Sequence, residues 1–190
     1  MERRNITTEV RVIERDDGPP QIEGLAAVFN RDSLPLAGGM FIERIKPGFF
    51  RNVLKDDIKA LFNHDRNIVL GRIASGTLEV RETKDGLHMS VTPPDTNLVR
   101  DMVLTPIKRG DVTGQSFGFG VKEDEWETVD KGPDRRTLVT ASQLFDVGPV
   151  TDPAYPDTDV AVRSMETWRS TQMNHQTRNM NRRRLLDLAS

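Results

Sequence analysis

Turn signals cut this chain into short pieces, and that limits it to a strand-rich fold. Gly18-Pro19-Pro20, Lys46-Pro47-Gly48, Ser75-Gly76 and Asp85-Gly86 fall between apolar stretches only a few residues long. Glycine tolerates the positive φ of a tight hairpin turn, and proline cannot continue a hydrogen-bonded ladder. The stretches between these signals read as strands. They are Glu9 to Glu14, Ile22 to Phe29, Met40 to Ile45, Lys59 to His64, Ile68 to Ala74, Gly76 to Arg81 and Leu87 to Val91. Phe49 to Leu54 reads as a short helix. A longer helix follows Asp95 or Thr96, either of which can cap it. Leu98, Val99, Met102, Val103 and Ile107 recur there at helical spacing, Pro106 marks the last turn and Gly110 the stop. Val112 to Val121 and Arg135 to Val147 are the last strands. Many short strands with one good helix make an α+β chain, a small barrel or sandwich with peripheral helices.

Composition removes several classes of chemistry. There are no cysteines, so disulfides, zinc-thiolate sites and a cysteine nucleophile are excluded. No apolar run approaches the roughly 20 residues of a membrane-spanning helix, and Met1-Glu2-Arg3-Arg4-Asn5 is not followed by the apolar segment of a secretory signal. These features fit a reducing cytoplasm. Charge is uneven along the chain. From Arg163 onward six Arg face Glu166 and Asp187, a balance of +4; residues 1–162 hold 21 basic and 27 acidic residues, or −6. The organisation expected is a domain over residues 1–163 and a polar, basic tail over 164–190 that is mobile, partner-dependent or removed by self-cleavage. The acidic body and the single Tyr155 argue against a nucleic-acid interface.

Three histidines and one serine stand out. His64 closes an apolar stretch, Leu61-Phe62-Asn63-His64-Asp65, where the chain turns polar; strand ends are common places for catalytic groups. His88 lies inside a strand and His175 in the tail. Ser116 stands in Thr113-Gly114-Gln115-Ser116-Phe117-Gly118-Phe119-Gly120. Side chains alternate along a strand, so Phe117, Phe119 and Val121 share one face and Ser116, Gly118 and Gly120 the other. The glycine-lined face can admit a substrate backbone to the hydroxyl, or can simply pack tightly against another backbone with Ser116 filling space. A serine becomes nucleophilic when a base takes its proton, and histidine suits this near neutral pH with a carboxylate to orient it. Asp146, in the otherwise apolar Leu144-Phe145-Asp146-Val147-Gly148-Pro149-Val150, is the carboxylate most in need of a reason. Asp65 is adjacent to His64 and is expected to face away or to bind Arg66 or Arg72. The histidines have no metal-ligand spacing, and no cofactor is expected.

Five segments, in order, resemble the HK97-type prohead proteases of tailed phages. They are Gly24 to Asn30, Met40 to Phe50, Leu61 to Asp65 with Leu70-Gly71-Arg72, Arg109 to Phe119, and Leu144 to Pro156, together covering about Gly24 to Arg163. The resemblance implies a serine endopeptidase on a small, closed or nearly closed antiparallel barrel similar to that of the herpesvirus maturational proteases. It implies Ser116 as nucleophile and His64 as base. Asp146 stands where the family places its acid, often Glu, and His88 is the competing third member. Gly148 stands where the family frequently has Ser. The substrates implied are the major capsid protein's scaffold or delta region and the protease itself, inside the assembling prohead in the bacterial cytoplasm. The herpesvirus likeness adds a homodimer to the assemblies to be tested. The rival reading is a capsid-assembly or scaffold protein that keeps the barrel without catalysis.

Overall fold

Each turn signal falls at or beside a strand end in the computed structural model, which describes residues 1–152 and 160–173. The chain divides into two units, Met1–Asp157 and Thr158–Ser190. The described part of the second unit is a helix over 160–173, which crosses the expected boundary at 163; residues 174–190, with His175, lie outside the described residues. Among the described residues the first unit carries ten strands. These are β1 (Glu2–Thr7), β2 (Val10–Ile13), β3 (Gln21–Val28), β4 (Phe41–Ile45), β5 (Lys59–Leu61), β6 (Val69–Arg72), β7 (Leu78–Glu82), β8 (Gly86–Val91), β9 (Gly114–Glu127) and β10 (Asp134–Val150).

The strands form two sheets, so the chain is strand-rich α+β. One has the order β1-β9-β10-β5-β6, with β4 also on β10; the other is β2-β3-β8-β7. The ladders make no closed barrel, so they do not confirm the expected closed or nearly closed antiparallel barrel. Among the described residues no ladder joins the two sheets, and β4 and β5 both run parallel to β10. β10 is the longest of these strands. Its 17 residues take β9 along one side and, on the other, β4 at Asp134–Leu138 and β5 at Asp146–Val147.

The helix begins at Thr96, whose hydroxyl accepts from the Val99 amide, and ends at Gly110 in the left-handed conformation. Between α1 (Asn97–Val99) and α2 (Thr105–Arg109) lies a π-helical turn, Arg100–Leu104. Pro106 has no N–H to give the preceding turn, and a wider turn accommodates it. Phe49 to Leu54 forms successive turns, not the expected helix. The Phe49 carbonyl, which a helix would use, instead accepts from Ala141 N (2.9 Å), and Phe50 N donates to Glu82 Oε1 (2.8 Å). Both rings are buried and meet Phe117 and Phe119 edge-on, at centroid distances of 5.5 and 5.7 Å, which ties the inner face of β9 into the core.

A second, charged core lies where β1, β4, β9 and β10 meet. Arg4 Nε donates to Glu43 (2.7 Å) and its Nη2 to Glu2 (2.6 Å). Arg136, almost fully buried, donates to Glu2 (2.8 Å), Glu43 (3.0 Å) and Asp124 (2.7 Å). Burial by itself would lower the pKa of both guanidiniums, but the carboxylates outweigh it and hold both above the usual arginine value.

Candidate active site

Ser116 is carried by β9 with its neighbours alternating as the pattern requires. Phe117 and Phe119 enter the aromatic core, while Ser116 faces Gly148 of β10 on one side and Asn5 of β1 on the other. The glycines on the serine face are not an open path for a substrate. A Cβ on Gly118 would lie 2.8 Å from Asp146 Oδ2, and one on Gly120 would lie 2.5 Å from Ser142 Oγ. These glycines therefore make room for side chains of β10. Asp146 pairs directly across from Gly118, just after a register irregularity between Leu144 and Asp146.

His64 arrives from β5. That strand runs beside β10 with Lys59 opposite Asp146 and Ala60 opposite Val147, so the chain leaves β5 next to the carboxylate. Two consecutive left-handed residues then turn the backbone, Asn63 (φ 54°) and His64 (φ 56°). Asn and His are among the residue types that enter this region most readily, and such strain persists where surroundings over-determine it. The surroundings here are specific. Asn63 N donates to Pro149 O (3.1 Å), and Asn63 Oδ1 accepts from Thr151 N (2.9 Å) and Thr151 Oγ1 (3.3 Å). Asp65 Oδ1 accepts from the Asn67 amide (2.8 Å).

The three side chains meet. His64 Nε2 lies 2.5 Å from Ser116 Oγ, and His64 Nδ1 is hydrogen-bonded to Asp146 Oδ1. One imidazole thus links a hydroxyl on one edge to a carboxylate on the other, the arrangement that allows the ring to take a hydroxyl proton while the carboxylate holds its orientation. The Ser116 hydroxyl also donates to the Arg4 carbonyl (3.0 Å). Ser116 is 0% exposed, the His64 side chain 11% and the Asp146 side chain 9%. A cavity of about 430 Å³ borders the site, with Met1, Arg3, Leu61, His64, Leu144 and Asp146 among its walls.

The other candidates stand apart. His88 sits on β8 in the four-stranded sheet, opposite Leu25 and Arg81, where burial and then Arg81 push its pKa below the ordinary histidine value. Arg72 is paired with Asp57, its Nε donating at 2.7 Å. No group of three or more His, Asp or Glu able to hold a metal occurs among the described residues. No described helix is long and apolar enough to cross a membrane.

Sequence reasoning missed β1, Asn63 and the reason for Gly148. β1 has no apolar alternation to reveal it, because its inward residues are Glu2 and Arg4. Asn63 carried a usable signal, an Asn directly before a candidate histidine at a strand end, since Asn is favoured in left-handed backbone. Gly148 is explained by contact: a Cβ there would lie 1.9 Å from the Leu61 carbonyl oxygen, on the strand that delivers His64.

No curated protein and no solved structure matches the chain. A family model does, that of the caudovirus prohead serine protease, over residues 7–174. That span takes in β2 through β10 and all three residues of the site. The chain belongs to the caudovirus prohead serine protease family.

Proposed function

We propose that this chain is the serine endopeptidase of head maturation, with Ser116 as nucleophile, His64 as general base and acid, and Asp146 as the carboxylate that orients His64. The observation carrying the reading is the 2.5 Å contact of His64 Nε2 with Ser116 Oγ on a ring whose other nitrogen is engaged by Asp146. A scaffold protein that had abandoned catalysis would have no need of that arrangement. Family membership supports the process in which it acts, capsid maturation in the assembling prohead.

In the acylation step the Oγ–H proton passes to His64 Nε2 as Oγ bonds to the scissile carbonyl carbon. The C–N bond then breaks and the same proton leaves with the amine. Water next gives a proton to Nε2, attacks the acyl carbon and releases Ser116 Oγ, which takes the proton back. Throughout, Asp146 accepts the Nδ1–H and stabilises the imidazolium, and it stays ionised. The substrates on this reading are the scaffold or delta region of the major capsid protein and this chain itself.

The test is co-expression of the chain with its phage's major capsid protein, beside Ser116→Ala and His64→Ala, followed by intact-mass analysis of both proteins. Each substitution should remove processing, since loss of a triad member costs orders of magnitude in rate. Processing that persists in Ser116→Ala rejects the nucleophile assignment. Asp146→Asn should slow processing by up to about 10⁴-fold while the fold survives.

A further inference from the structure

A nucleophile with no exposed surface cannot meet a peptide unless something leaves, and the element lying on Ser116 is β1. Asn5 is paired with Ser116, and the Arg4 carbonyl takes a hydrogen bond from its hydroxyl. Resting on the protease reading above, we propose that β1 occupies the substrate's place on the edge of β9. An extended peptide with an acidic residue two positions before a basic one replaces it, and the cleaved bond follows the basic residue.

Ser116 Oγ touches His64 Nε2 at 2.5 Å on one side and the Arg4 carbonyl at 3.0 Å on the other, so β1 fills the side from which a peptide would have to reach it. The carbonyl so engaged is a peptide carbonyl on a strand antiparallel to β9, so an extended peptide in the same place would bring a peptide bond to Oγ.

Among the described residues Glu2–Thr7 pairs with β9 alone, at the edge of its sheet, and Asn5, Ile6 and Thr7 help line a groove of about 510 Å³ with Val28, Leu34 and Ile45. Glu2 and Arg4 bring one negative and one positive charge to the charged core, so their departure leaves its net charge unchanged. Arg136 would keep Glu43 at 3.0 Å and Asp124 at 2.7 Å. The family match begins at Thr7, so Glu2–Ile6 precede the matched span. Departure would also free the β9 edge, whose backbone groups can take a peptide by strand addition.

The vacated positions dictate the substrate. A residue in the place of Arg4 faces Glu43, which now accepts from Arg4 Nε at 2.7 Å; a basic residue fits there. A residue in the place of Glu2 faces Arg136, which now donates to Glu2 at 2.8 Å; an acidic residue fits there. The carbonyl presented to Ser116 is that of the Arg4 position, which puts the cleavage after the basic residue.

The chain has no cysteine of its own, so a single engineered cross-link can test this in the full chain. Ile6 and Gln115 are paired across β1 and β9. In Ile6→Cys/Gln115→Cys, oxidation should slow labelling of Ser116 by a fluorophosphonate about tenfold or more, because reaction scales with the fraction of chains whose strand is open. Reductant should restore the rate. A second measurement needs no cross-link: after complete labelling of the unmutated chain, the amides of residues 3–7 should lose their protection from hydrogen exchange. Acetylated Glu-Ala-Arg-Asn should slow labelling, or be cut after Arg, where Arg-Ala-Glu-Asn is inert. Equal labelling of oxidised and reduced forms, undiminished amide protection in the labelled protein, or indifference to the charge order overturns the proposal. Absence of any label on Ser116, in every form, overturns the nucleophile assignment instead.

Discussion

Gly118→Ala separates the role of Asp146 from the stability of the fold. The added methyl would lie 2.8 Å from Asp146 Oδ2, 3.3 Å from its Cγ and 3.4 Å from Oδ1. To reach ordinary contact the near oxygen must retreat by about 0.6 Å, and a misplacement near 1 Å at a catalytic group can cost about 100-fold. The carboxylate is the end of a side chain and can move, so the strand need not. Alanine in a strand interior gains about 0.5–1 kcal/mol over glycine, which offsets part of an overpacking cost of about 1–3 kcal/mol. The expected result is labelling of Ser116 by a fluorophosphonate slowed about 10- to 100-fold, with a melting temperature lowered by no more than about 10 °C. Gly120→Ala is the control. Its methyl would lie even closer to a neighbour, 2.5 Å from Ser142 Oγ, but that neighbour is outside the triad. Labelling followed by intact mass, with a thermal melt of each variant, reads both quantities. The reasoning fails if Gly118→Ala labels within about twofold of the unmutated chain, or if Gly120→Ala loses as much.

Gly148→Ser should cost about 3 kcal/mol or more, because its Cβ would lie 1.9 Å from the Leu61 carbonyl; a melting temperature within about 3 °C of the unmutated chain counts against that contact. Arg136→Met leaves Glu2 and Glu43 in the charged core with Arg4 alone, and should cost about 3–5 kcal/mol, a drop of about 6–20 °C on thermal melting. His88 has a folded-state pKa below its ordinary value of 6.5, burial being the main cause. The unfolded chain therefore takes up its proton more readily, and stability present above pH 6.5 is lost as pH falls from there toward the folded pKa. His88→Gln should flatten the fall of melting temperature between about pH 7 and 5; an unchanged slope would assign acid sensitivity to other groups.

Much of the fold was legible because it rests on turn chemistry and alternation. Gly18-Pro19-Pro20 and Asp85-Gly86 mark real breaks, and the Phe117–Phe119 face enters the core as its period of two demands. What was not legible depends on pairing at a distance. Nothing local in Lys59–Leu61 announces that it will run parallel to β10, yet this places the His64 turn beside Asp146. The burial of Glu2 and Arg4 contradicts every pattern of hydrophobicity, and becomes sensible only once Glu43 and Arg136 are found opposite. The glycines of β9 were correctly read as a demand for close approach, but the approaching group is a side chain of the adjacent strand, not a substrate. Periodicity shows that space is needed; it does not show who fills it.

β10 explains how an Asp reaches the His64 ring. All three members of the site are referenced to this one strand. Ser116 pairs with Gly148, Asp146 stands two residues earlier, and the backbone leading to His64 is fastened at Pro149 O and, through Asn63, at Thr151. Reach is then set by how closely β5, β9 and β10 approach, as well as by side-chain length. Two glycines set that approach. Gly148 lets the Leu61 carbonyl into the space a Cβ would fill, which draws the His64 turn onto β10, and Gly118 lets the Asp146 carboxylate lie against the backbone of β9. Residue 146 is therefore coupled to residues 118 and 148, and exchanging any one of the three alone should disturb the other two.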